Sequence, residues 1–329
     1  MKVAVLDDWF DTLRHLPCFA HLDGHDVTVF TDHEPDPARL AERLAPFDAI
    51  TLFRERTAIT AELLEALPRL RLISQRSVYP HVDVEACTAR GVLLCSRMEG
   101  GAPPYAAAEH TFALILAAMR QLPQQMDSLR AGGWQTHVGK TLNGRTLGLY
   151  GYGRIAKLVA GYAAAFGMRV IWWGSEDGRA RAAADGHEVA PSRTDFFAGA
   201  DVVSVHVRLK PQTRGLITAA DLGAMGPGAL FVNTSRAGLV EDGALLNALN
   251  AGRPGFAALD VFDTEPITWA NDPLAAHPRV TATPHVGFVT EDELNEQFAD
   301  IFEQVAAFAA GTPRHMINPE VWPQTNAPR

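Results

Sequence analysis

Eleven short apolar runs, set between polar turns and stretches of helical spacing, constrain this chain more than any other feature of its sequence. In the first hundred residues the runs are KVAVLDD (2–8), DVTVFTD (26–32), AITLFRE (49–55), LRLISQR (70–76) and VLLCSR (92–97), with helical segments such as PARLAERLA and TAELLEALP between them. Strands that are apolar almost throughout, alternating with helices, build a parallel sheet covered on both faces. The cluster EGGAPP (99–104) breaks the pattern. An apolar-faced helix with Phe112, Ile115, Leu116 and Met119 follows, and then a polar stretch, QTHVGKTLNGR. A second series runs TLGLYGY (146–152), MRVIWWG (168–174), ADVVSVHV (200–207), GALFVNTS (228–235), GFAALDVF (255–262) and VTATPH (280–285). Thr290 and Glu293 then have the spacing of a capping box, opening a last helix with Leu294, Phe298, Ile301, Phe302, Val305 and Phe308 on one face.

Residues 148–160, GLYGYGRIAKLVA, lie where the second series begins. Gly151 and Gly153 are the first two glycines of a G-x-G-x-x-G turn, and Ala156 stands at the third position, which needs only a small side chain. The turn follows an apolar strand and opens a helix with Ile155, Leu158, Val159, Tyr162 and Phe166 on one face, ended by Gly167. Gly151 makes the tight turn and Gly153 lets the backbone approach a pyrophosphate. Tyr152, Arg154 and Ile155 bring the amides of the helix N-terminus to it. With six strands in this series, the expected fold class is α/β, with two Rossmann-like doubly wound parallel-sheet domains. The cofactor domain, 103–285, is inserted into a substrate-binding domain made of 1–102 and 286–329.

The remaining composition narrows the function by exclusion. The 329 residues are 47% hydrophobic with a net charge of −9, so no basic surface is available for nucleic acid. No apolar run is long enough to span a membrane, and the N-terminus lacks a signal-peptide core. Three cysteines without C-x-x-C spacing, and histidines without helical H-x-x-x-H spacing, give no support for a disulfide framework or a metal site. A cytoplasmic protein is expected.

Three further segments, VNTSRAGLVE (232–241), AALDVFDTEP (257–266) and TPHVGF (283–288), carry a resemblance to a known family. With RAGGWQ (130–135) and the nucleotide turn, they resemble the D-isomer-specific 2-hydroxyacid dehydrogenases over almost the whole length. The resemblance implies a hydride transfer between a nicotinamide coenzyme and a small D-2-hydroxy acid or 2-oxo acid. It assigns Arg236 to the substrate carboxylate and carbonyl, His285 to proton transfer, and Glu265 to holding the tautomer of His285. These residue types suit that chemistry, because an imidazole exchanges protons near neutral pH and a guanidinium grips a carboxylate at two points. By the same resemblance Asp260 contacts the nicotinamide carboxamide and His206 lines the adenosine side. There the usual H-V-P reads His206, Val207, Arg208. Trp134 and the helix before it imply a homodimer contact, with an intrachain anchor as the competing assignment.

The sequence also departs from the family at the helix opener, where Pro103 and Pro104 replace an Asn-containing turn, at the substrate turn and at the end of the second cofactor strand. The glycine-rich substrate turn is replaced by RSVYPHVD (76–83), leaving the amides of Ser77 and Val78 as candidates for the substrate carboxylate. Arg54, at a strand end, is a candidate to reach the substrate or a solvated surface charge. At the end of the second cofactor strand, where an acidic residue would hold an NAD ribose, stand Gly174 and Ser175, with Arg179 and Arg181 following. That pattern leans to NADP(H) over NAD(H), although Glu176 and Asp177 are close enough to turn back on to the ribose. The rival function is a non-catalytic, corepressor-like NAD(H) sensor on the same fold.

Overall fold

A computed structural model describes residues 1–98 and 103–322. Most of the EGGAPP breaker and the last seven residues therefore lie outside the described residues. The chain divides into two compact units, Met1–Gly101 with Thr290–Arg329, and Ala102–Val289.

The first unit is a five-stranded parallel sheet of β1 (Lys2–Val5), β2 (Asp26–Val29), β3 (Ala49–Thr51), β4 (Leu72–Arg76) and β5 (Leu93–Arg97), in the order β2-β1-β3-β4-β5. One face packs Ala4, Ile50, Leu52, Ile73 and Leu94 against Leu40, Leu44, Leu63 and Leu67. Within the same unit the Glu291–Ala309 helix inserts an aromatic row, with Phe298 5.0 Å from Phe53 and Phe302 5.8 Å from Phe19 between ring centroids. Thr290 caps that helix, its side chain accepting from the Glu293 amide at 3.2 Å. The Glu293 carboxylate, which a full capping box would fold back, instead accepts from Gln297 at 2.6 Å, so only half of the expected box forms.

The second unit holds six parallel strands, β6 (Thr146–Tyr150), β7 (Arg169–Trp173), β8 (Val202–Val205), β9 (Leu230–Asn233), β10 (Phe256–Leu259) and β11 (Val280–Ala282), in the order β11-β10-β9-β8-β6-β7. A single parallel bridge from Trp172 to Val189 extends the sheet outside β7. Side chains alternate cleanly between two cores. Leu147, Leu149, Val232 and Ala258 face Phe112, Ile115 and Val159, while Val203, Val205, Phe231 and Leu259 face Phe196, Leu222 and Leu249. This two-sided burial is why the strands read as continuous apolar runs.

All eleven expected strands form, but every one except β4 and β5 stops short of the apolar run that announced it. The chain turns sharply at the carboxyl ends instead. Non-glycine residues in the left-handed region follow three neighbouring strands of the first unit: Asp7 (φ 60°), Arg54 (φ 60°) and Ser77 (φ 75°). In the second unit Gly151 (φ 110°), Gly174 (φ 152°) and His285 (φ 53°) do the same. Such non-glycine residues store about 1–3 kcal/mol each and gather at functional sites.

All three cysteines, Cys18, Cys87 and Cys95, are unpaired and buried in the first unit. Burial pushes their thiols up, Cys18 to about 11 and the other two to about 12.

Candidate active site

The crevice at the sheet's switch point is formed by β6 and β8, from which the strand order runs in opposite directions. Gly151 closes the turn after β6 so tightly that an added Cβ would lie 2.4 Å from the His206 carbonyl oxygen. At Gly153 the same construction meets nothing within 4 Å. That open space lies in front of the Arg154–Ala165 helix, whose first amides, Arg154 and Ile155, have no carbonyl one turn back. A closed first glycine, an open second one and a free helix N-terminus fit the pyrophosphate of a dinucleotide. Ala156 is fully buried against the sheet, as its small side chain requires.

The Tyr152 side chain points away from this crevice into the core, its ring 4.8 Å from Trp172, with its hydroxyl bonded to Asp185. Only its backbone is in position to meet a ligand. His206 bonds Ser204 through Nε2 at 2.9 Å, and burial pushes its imidazole down to about 4, so it lines the crevice uncharged. Beyond β7, Gly174 packs on the Gly151 backbone and Ser175 caps the Glu176–Ala184 helix, accepting from the Gly178 amide at 3.2 Å. Arg179 lies over the Trp173 ring at 4.2 Å, and Arg181 is tied to Asp177 at 2.9 Å.

Arg236, Asp260, Glu265 and His285 follow the carboxyl ends of three adjacent strands, β9, β10 and β11. Arg236 is half-buried on the loop after β9, where Asn233 Nδ2 holds its carbonyl at 2.9 Å. Glu265 is fixed by the Phe262 amide, which donates to Oε1 at 2.9 Å. Its other oxygen lies 2.6 Å from His285 Nδ1. A carboxylate accepts only, so Nδ1 carries the proton and Nε2 is left to exchange one with a ligand. Asp260, 1% exposed, is a hub. Oδ1 accepts from Thr283 Oγ1 at 2.6 Å and the Val286 amide at 2.9 Å, with His110 Nε2 at 3.2 Å, while Oδ2 accepts from the Gly287 amide at 2.8 Å. Burial alone would raise its pKa, but these donors, His110 foremost, hold the carboxyl below its ordinary value.

In the first unit the substrate turn departs from expectation at Ser77. Its amide is taken, donating to the Arg97 carbonyl at 3.0 Å, because the left-handed φ aims it back at β5. The Ser77 carbonyl is held by Gln75 Nε2 at 2.8 Å and Ser96 Oγ at 2.7 Å. Val78 remains the half-buried candidate on this turn. Arg54 is half-buried, with Nη1 3.5 Å from Gln297 Oε1. Among the described residues no group of three His, Cys, Asp or Glu side chains is placed to hold a metal ion, and no helix is long and apolar enough to cross a membrane.

The model of the D-isomer specific 2-hydroxyacid dehydrogenase NAD-binding domain matches residues 112–287. The chain belongs to this family. It is 40% identical over 291 residues to the D-3-phosphoglycerate dehydrogenase of Mycobacterium leprae, covering 88% of this chain and 54% of that protein. The chain thus spans about half the length of that relative. It is 36% identical over 310 residues to the glyoxylate reductase of Aeropyrum pernix, covering 90% of this chain and 91% of the other. Among solved structures, an oxidoreductase from Ralstonia solanacearum superposes with a TM-score of 0.93 at 43% identity, covering 99% of this chain and 98% of that one. As a member of a dehydrogenase family, the chain carries a nicotinamide-binding domain, and its two parallel sheets are the family's architecture.

Sequence reasoning passed over three residues of this candidate site. His110 lies in a helix read only for its apolar face, and Thr283 and Gly287 lie within a segment read only as a motif. An added Cβ at Gly287 would lie 2.9 Å from Asp260 Oδ2, so glycine is required there for close approach. A histidine within the first turns of a strongly apolar helix was the one signal that could have found this cluster.

Proposed function

We propose that the chain is an NAD(P)-dependent D-2-hydroxyacid dehydrogenase acting on a small 2-oxo or D-2-hydroxy acid. The observation that carries this reading is the 2.6 Å contact of His285 Nδ1 with Glu265, which leaves Nε2 as a proton-exchange atom on a family strand end. A bound nicotinamide supplies or accepts the hydride. His285 Nε2 gives a proton to the forming hydroxyl in reduction and takes it back in oxidation, while Glu265 stabilises the imidazolium and fixes the tautomer. Arg236 grips the carboxylate and polarises the oxo group. The first unit's own candidates for substrate contact are the Val78 amide and Arg54. Asp260 Oδ2 retains a lone pair for a carboxamide donor after accepting from Gly287.

The coenzyme preferred is NADP(H). Gly174 and Ser175 leave no carboxylate at the end of β7, and the Arg179 guanidinium lies on Trp173 one turn into the following helix. The working form is a homodimer, supported by Trp134 (75% exposed) and Val138 (89% exposed) beside a helix, Leu122–Arg130, that buries none of its residues. Unpaired, buried cysteines support a cytoplasmic setting.

The test is NADH and NADPH oxidation over a panel of small oxo acids, including glyoxylate, hydroxypyruvate and the oxo counterpart of 3-phosphoglycerate. Turnover of at least one acid, with the higher kcat/KM for NADPH, is expected. No turnover on any acid would shift the reading to a coenzyme sensor, and a preference for NADH would overturn the coenzyme assignment. His285→Gln should lower kcat by about 10²–10⁴-fold with coenzyme binding retained. Unchanged turnover would remove His285 from the chemistry.

A further inference from the structure

The Tyr105–Arg120 helix carries two adjacent polar residues that face the sheet, His110 and Thr111, in a stretch otherwise rich in Ala, Leu, Ile and Phe. Each reaches a different loop. Thr111, fully buried, bonds Thr234 hydroxyl to hydroxyl at 2.7 Å, two residues before Arg236. Thr111 Oγ1 also donates to the Ala107 carbonyl at 2.7 Å, which uses its one proton, so Thr234 is the donor in the hydroxyl pair. His110 Nε2 lies 3.0 Å from Thr283 Oγ1 and 3.2 Å from Asp260 Oδ1. The Thr283 proton goes to Asp260 at 2.6 Å, so both neighbours of His110 Nε2 accept, and Nε2 is the protonated nitrogen.

This arrangement encloses His285 on both sides. Thr283 is two residues before it, and the Val286 and Gly287 amides that follow it both donate to Asp260. His285 itself is left-handed at φ 53°, a conformation that a non-glycine residue keeps only where its surroundings impose it. Gly287 admits the close approach: its added Cβ would meet His110 Cδ2 at 3.4 Å as well as Asp260.

We infer that His110 and Thr111 are positioning residues: one helix braces the loops carrying Arg236 and His285, so that the carboxylate grip and the proton donor keep a common register. Neither touches substrate. His110 acts through Thr283 and Asp260 on the backbone around His285, and Thr111 acts through Thr234 on the loop of Arg236. The inference rests on the assignment of Arg236 and His285 in the proposed function. Displacement of a catalytic group by about 1 Å costs on the order of a hundredfold in rate, so small loop movements are sufficient.

The experiment uses His110→Leu, His110→Gln and Thr111→Val in the full chain. Gln places an N–H near the position of His110 Nε2, and Val preserves the shape of Thr without its hydroxyl. In the coenzyme-free protein, His110→Leu should speed hydrogen exchange at the Val286 and Gly287 amides at least tenfold, and His110→Gln should restore much of the protection. With the best oxo acid, His110→Leu should lower kcat by about tenfold to a hundredfold with coenzyme dissociation constant changed less than threefold. Thr111→Val should raise the KM for the acid more than it lowers kcat, because it loosens the arginine loop. Unchanged exchange at Val286 and Gly287, or kcat within twofold in His110→Leu, would overturn the brace, as would failure of Gln to restore either property. If His285→Gln retains full turnover, the catalytic assignment fails instead. The exchange measurement still reports on the brace itself, so the two failures are separable.

Discussion

One turn in each unit bends the chain into the left-handed region at a strand end, and these two do so by opposite means. After β6 the residue is Gly151, whose missing side chain lets the turn close on the His206 carbonyl. After β4 the residue is Ser77, which has a Cβ and is held in place from outside by Gln75, Ser96 and the Arg97 carbonyl. One conformation is permitted by composition and the other imposed by a network. A turn permitted by glycine tolerates changes around it but not at it. A turn imposed by neighbours has the reverse sensitivities.

The largest expected effect follows from breaking the first turn. Gly151→Ala sets a methyl group 2.4 Å from a backbone oxygen that has no rotamer to escape through. Fluorescence titration should show coenzyme binding lost, and denaturant unfolding should show about 2 kcal/mol or more of stability lost. Wild-type affinity in this variant would show that the turn does not shape the crevice. A middle effect should come from Gln75→Leu, which removes the buried donor to the Ser77 carbonyl and costs about 1–3 kcal/mol. The KM for the oxo acid should rise while the coenzyme dissociation constant stays put, and a change confined to the coenzyme would contradict the comparison. The smallest effect belongs to Ser77→Gly. Relief of left-handed strain and the added freedom of the unfolded chain are each about 1 kcal/mol and oppose each other. Thermal unfolding should therefore shift by only a few degrees, and a large loss would mean that the Ser77 side chain holds more than its own turn.

The same contrast explains how much was legible in the sequence. The eleven strands could be read because both faces of each sheet are buried, and Gly151 because a tight left-handed turn asks for glycine. The strand ends were overrun because apolar residues such as Leu6, Leu52 and Val261 stay buried beyond the last ladder pair and look no different from strand. Glu265 and His285 were legible only through motifs, since nothing local to either predicts that Nδ1 and Oε2 lie 2.6 Å apart across a separation of 20 residues. Ser77 could not be read at all: its conformation depends partly on Ser96, which is 19 positions away. The partners of His110 and Asp260 could not be read for the same reason, being set by the sheet order and not by the chain.

The placement of the cysteines gives the molecule an uneven chemistry of exposure. With every thiol in one unit, buried and held in its protonated form, an alkylating reagent has nothing to attack until the first unit opens. The second unit contributes no thiol, whereas Trp172 is fully buried there beside Tyr152. The rate of thiol modification therefore times the opening of one half of the protein. Without any engineered label, the chain carries a clock for one of its two halves.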